Sequence, residues 1–203
     1  MLNKMLSGGS SGKAKVNSTS NHIRLGNQAG VTLGADDTFN IAIGNHAMLS
    51  VDDTDSGADG NVAVGHQVMY NLTGGDNNVG IGTYALVSMT EGDSNIAIGF
   101  NCAASKLTGA GDITIGSGTF NTYIGTADIG DNIVIGRLSQ RYNQYGLYNI
   151  SIGAGSMEGI VNSKLALADL GNVAIGCNSL HDIKSDSTLN TSIGYQSGED
   201  LTT

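Results

Sequence analysis

A five-residue pattern recurs eleven times along this chain: a small polar residue, two variable residues, an aliphatic residue and a glycine. The copies run His22–Gly26, Asn40–Gly44, Asn61–Gly65, Asn78–Gly82, Asn95–Gly99, Asp112–Gly116, Asn121–Gly125, Asn132–Gly136, Asn149–Gly153, Asn172–Gly176 and Asn190–Gly194. Such periodicity describes an array of small stacked units rather than one domain wrapped around a pocket. Inside each copy, β-branched residues alternate with period two, as in Ile96-Ala97-Ile98. That predicts a short strand whose β-branched side chains, Ile98 among them, face the core. Asparagine bonds its own turn and glycine accepts positive φ, so the two fence the strand at the corners of a coil.

Successive motif glycines lie 18, 21, 17, 17, 17, 9, 11, 17, 23 and 18 residues apart. Most units are too long for one strand and too short for a strand plus a full helix. The third residue after the glycine is usually small (Ala29, Ala47, Ala85, Cys102, Thr119, Ser139, Ser156, Ser179, Ser197), and an apolar residue often follows it (Met48, Met69, Leu86, Phe120, Ile129, Met157, Leu180). The second half of each unit thus reads as a tight corner that drops side chains into the stack, followed by a variable polar loop. Insertions at 50–60 and 159–170 map to outer loops, with a helical turn or two expected at 165–170. The fold class is all-β: a parallel β-roll or β-solenoid over 21–203, preceded by a flexible basic arm over 1–20.

The core Asn-x-(Ala/Ser)-(Ile/Val)-Gly, with its small residue three positions later, resembles the head repeat of trimeric autotransporter adhesins of the Yersinia-adhesin type. Related repeats occur in bacteriophage tail fibres, and Asn190–Gln196 is similar to their longer form. The resemblance spans residues 21–203 and implies a left-handed β-roll that assembles as a homotrimer. Units that are longer and uneven, with no coiled-coil stalk and no C-terminal membrane anchor in the sequence, point to the phage side of that resemblance. The expected role is a structural virion protein, a tail fibre or spike. The alternatives are a capsid decoration or head fibre and a bacterial surface adhesin head.

Composition agrees with side-by-side assembly, because a chain with 31 glycines, no Trp and 5% aromatic residues can build only a thin core. Net charge is −9, yet the only charged residues before position 36 are Lys4, Lys13, Lys15 and Arg24. An acidic body argues against nucleic-acid binding, while Lys4, Lys13 and Lys15 suit an arm that docks on another virion protein. Met1–Leu6 is followed by polar residues rather than the apolar stretch of a secretory signal, and no run is long enough to span a membrane. The expected location is therefore the virion, after synthesis in the host cytoplasm, with the bacterial surface as the alternative. Cys102 and Cys177 fall at different places in their units, so no disulfide framework is expected.

No nucleophile, base and orienting group recur in a catalytic arrangement, so the chain reads as non-enzymatic and without a cofactor. The four histidines sit at unrelated positions in their units. Asp53, Asp55 and Asp59 in an acidic loop form a weak calcium candidate that lacks the distal ligand of an EF-hand. The stretch from Arg137 to Tyr148 gathers Arg137, Arg141, Tyr142, Tyr145 and Tyr148. Tyrosine faces beside guanidinium groups suit a host-surface glycan or a protein receptor, or else packing between subunits.

Overall fold

The computed structural model describes residues 15–17, 21–33, 37–51, 57–106, 108–120, 130–142, 147–159, 171–182 and 188–199. It is an all-β solenoid whose single sheet takes one strand from the chain before the first motif and one from each of ten motifs: β1 (Lys15–Asn17), β2 (His22–Leu25), β3 (Ile41–Ile43), β4 (Val62–Val64), β5 (Val79–Ile81), β6 (Ile96–Ile98), β7 (Ile113–Ile115), β8 (Ile133–Ile135), β9 (Ile150–Ile152), β10 (Val173–Ile175) and β11 (Thr191–Ile193). Spatial order equals chain order. From β2 to β11 every pairing is parallel and in motif register, for example Ala97 opposite Thr114 and Ile98 opposite Ile115. β1 runs antiparallel to β2, with Val16 opposite Ile23, and so covers the first edge of the sheet. The insertion at 160–170 and the motif at Asn121–Gly125 lie outside the described residues. β7 pairs directly with β8.

Each rung is closed by backbone conformations that L residues seldom adopt. The residue before the Asn position and the second and fourth residues after the motif glycine all have positive φ, as at Ser94 (58°), Asn101 (51°) and Ala103 (48°). A left-handed residue costs roughly 1 kcal/mol, and hydrogen bonds to both neighbouring rungs hold it there. The Asn101 N–H donates back to the Thr83 carbonyl at 3.0 Å, whereas the Ala103 N–H donates forward to Thr119 at 2.9 Å. This alternation ties the wall opposite the sheet as firmly as the strands tie the sheet. Only glycine fits the motif corner. At Gly99 φ is +141° and a Cβ would sit 2.3 Å from the Gly116 carbonyl oxygen of the next rung.

The side of the strand that faces inward is the reverse of the sequence expectation. In β3, β4, β6, β8, β9 and β10 the central residue is buried and the flanking Ile or Val is half-exposed. Ala97 is buried inside the coil, and Ile98 faces outward. The physical reason is width: with corners this tight, the interior opposite the strand accepts only Gly, Ala, Ser, Thr or a single Val. The larger core side chains come from the far wall, where Met48, Met69, Leu86, Phe120, Met157 and Leu180 are buried as their position after the small residue predicts. At the first rung Arg24 takes the central place. Its Nη2 donates to the Leu33 carbonyl at 3.2 Å. Burial lowers the pKa of its guanidinium, and nearby Asp37 opposes that shift.

Candidate functional site

Sequence position dictates three chemically different columns on this coil, and the innermost is built by the motif asparagines. Each Oδ1 accepts the backbone N–H of the next motif residue. The links run Asn40 to Asn61 at 2.8 Å, Asn61 to Asn78 at 2.9 Å and Asn78 to Asn95 at 2.9 Å. They continue through Asn132, Asn149 and Asn172 to Asn190. The side-chain amide meanwhile caps a loop carbonyl, as Asn61 does for Gly75 and Asn95 for Gly109, both at 2.9 Å. At the start of the column His22 replaces Asn, and its Nδ1 accepts the Asn40 N–H at 3.2 Å. Asp112 keeps the acceptor, taking the Asn132 N–H at 2.8 Å, but has no amide to donate. Lys106 Nζ donates to Asp112 Oδ2 in a fully buried ion pair that balances the carboxylate.

Next to that column, the small residue after each glycine packs on the central residue of the following strand. Volume or hydrogen bonding is matched pair by pair. Val68 faces Gly80, where an added Cβ would lie 2.6 Å from Val68 Cγ1. The Cys102 thiol lies 3.3 Å from Thr114 Oγ1 and 2.9 Å from Thr119 Oγ1. Ser139 and Ser151 hydroxyls are 2.6 Å apart. Burial raises the Cys102 pKa, outweighing the hydrogen bonds that lower it, so this thiol stays protonated and unreactive at neutral pH. Cys177 is exposed and unpaired with it.

The outer face of the sheet carries the flanking Ile, Val and Leu side chains in two columns, stacked by the parallel register over β2–β11. Ile23, Leu25, Ile81, Ile115 and Ile193 are between 36% and 66% exposed. These side chains place aliphatic surface along the outside of the sheet.

The expected binding stretch is divided by the coil rather than gathered. Arg137 is exposed immediately after the Gly136 corner, and Tyr148 is exposed one residue before Asn149, at the opposite end of the strand register. Arg141 and Tyr142 do meet: the guanidinium carbon lies 4.9 Å from the Tyr142 ring centre, and Arg141 approaches Glu158 at 3.8 Å. His181 joins them by bonding Glu158 at 3.2 Å and Asp182 at 3.0 Å. Tyr145 lies outside the described residues, as do Asp53, Asp55, Lys4 and Lys13; the side chain of Lys15 is likewise undescribed. Asp59 accepts the Thr38 N–H and hydroxyl. Its own N–H donates to Asp76 at 2.8 Å, and Asp76 repeats the bond to Asp93. Among the described residues no three His, Cys, Asp or Glu side chains group to hold a metal ion. Also among the described residues, no helix is long and apolar enough to cross a membrane.

One column escaped the sequence reading. His46, His66, Tyr84 and Phe100, from four consecutive rungs, form a row with ring centres 6.3, 5.5 and 6.3 Å apart, and Tyr70 meets His46 edge-on at 6.2 Å. His46 and Tyr84 lie two residues after their glycine, His66 and Phe100 one. That offset disguised the alignment in the sequence. Placing both positions at one corner is what the structure adds. Compared with family models, with curated proteins and with solved structures, the chain finds no match.

Proposed function

We propose that this chain is a non-enzymatic structural protein that associates side by side as a homotrimer and serves as a bacteriophage tail fibre or spike. One observation carries the reading. The Ile and Val columns stand outside a coil whose interior is already filled, and a flat, two-column apolar face needs a partner of the same length and repeat. A second copy of the chain supplies that partner, and burying an aliphatic side chain completely contributes about 1.5–3 kcal/mol. The repeat's resemblance to trimeric adhesin heads and phage fibre repeats supports three copies, a left-handed coil and a location on the virion. Nothing in the columns described above assembles a reaction centre; a stiff rod that repeats one surface suits display and contact. Multi-angle light scattering of the purified full chain at micromolar concentration should report three chains, and immunogold labelling of particles should place it on the tail. A monomer that unfolds cooperatively overturns the trimer, and label confined to the shell supports the decoration alternative.

A further inference from the structure

We propose that the row His46, His66, Tyr84 and Phe100 is a binding track for a neutral polysaccharide chain of the host surface; this rests on the host-contact role proposed above and names its ligand class. Three observations carry it. The rings repeat once per rung along the coil axis at 5.5–6.3 Å, so the surface they make is linear and periodic, as a sugar chain is. Phe100 is 54% exposed, and the other three are partly open to solvent. The edge also carries little fixed charge: at the two positions after the motif glycines, Arg137 is the single Lys, Arg, Asp or Glu. The acidic residues Asp59, Asp76 and Asp93 occupy the other end of the strand register, two residues before their Asn. An anionic glycan would meet no Lys or Arg on this row, and a basic protein would be drawn to the other edge.

The chemistry matches. The C–H bonds of a pyranose face are polarised by its ring and hydroxyl oxygens and present positive charge to the negative face of an aromatic ring. Side-chain amides next to the rings in sequence, at Asn45, Gln67 and Asn101, both donate and accept, as sugar hydroxyls require. Each contact is weak, and a row of them on three copies gains by avidity.

The test uses the full chain over immobilised cellohexaose, laminarihexaose and mannohexaose, with a hyaluronan fragment as the anionic control and light scattering on the same samples. The expected result is binding to at least one neutral oligosaccharide and none to hyaluronan. Tyr84→Ala with Phe100→Ala should weaken that binding at least tenfold with the number of chains unchanged. Absence of neutral-sugar binding, equal binding by the variant, or preference for hyaluronan overturns the track. Loss of the trimer in the variant would show instead that the rings pack between subunits, which also overturns it. If the wild-type chain is monomeric, the assembly reading falls independently of what the sugars do.

Discussion

Asp112 shows how a single residue departs from the asparagine column and what the departure requires. A carboxylate in that column has the acceptor geometry of Asn but brings a buried charge, and Lys106 neutralises it. Removing one member of a buried pair leaves the other uncompensated, at a cost of about 3–5 kcal/mol. Lys106→Met should therefore destabilise strongly in urea or thermal unfolding. Lys106→Met combined with Asp112→Asn restores the column's ordinary chemistry and should recover most of the loss; if the double variant is as unstable as the sum of the singles, the pair is not the coupled unit described here. The Val68–Gly80 contact makes a second residue-scale prediction. Gly80→Ala places a methyl against Val68 and should cost about 1–3 kcal/mol by overpacking. Val68→Ala should rescue it, because Ala opposite Ala is the arrangement at Ala47 and Ala63. An unrescued Gly80→Ala would show that the glycine serves the backbone instead.

At the scale of the strand, the inward and outward faces respond to different substitutions. Ala97→Asp buries an unpaired carboxylate inside the coil and should abolish cooperative folding of the rung. Ile98→Asp puts its charge on the outer face, so the isolated coil should keep its circular dichroism while the light-scattering mass falls from three chains to one. Equal loss of secondary structure in both variants would contradict the register of β6. The strands themselves were legible because Asn, two β-branched residues and Gly occur at fixed offsets, and each requirement is local. Which face turns inward was not, since period-two alternation marks two faces without saying which is enclosed. Side-chain volume decides it: Ala42, Ala63, Gly80, Ala97 and Ser151 fit between the walls and Ile does not. The split of Arg137, Arg141 and Tyr148 over separate columns, and the alignment of His46 with Tyr84, depend on where each corner turns. Sequence proximity is a poor guide to neighbourhood in a coil whose neighbours lie a full rung apart.

For the whole molecule, the two ends of the described sheet are chemically unlike, and this bears on attachment. The first edge is covered by antiparallel β1 and backed by Arg24 inside the first rung. The parallel stack stops there, and the attachment proposed for this end uses the chain that precedes β1. That segment carries Lys4 and Lys13, opposite in sign to a chain of net charge −9. Deleting residues 1–14, which keeps β1, should leave a folded trimer that no longer incorporates into particles, and added salt should weaken incorporation of the intact protein because exposed charges are screened. Deleting 1–20 removes β1 as well and should add a second phenotype, concentration-dependent association through the newly exposed edge of β2. Normal incorporation of the 1–14 deletion would reduce the arm to an ordinary tail and move the search for the attachment surface to the far end of the sheet, where Leu189, Ile193 and Tyr195 are exposed.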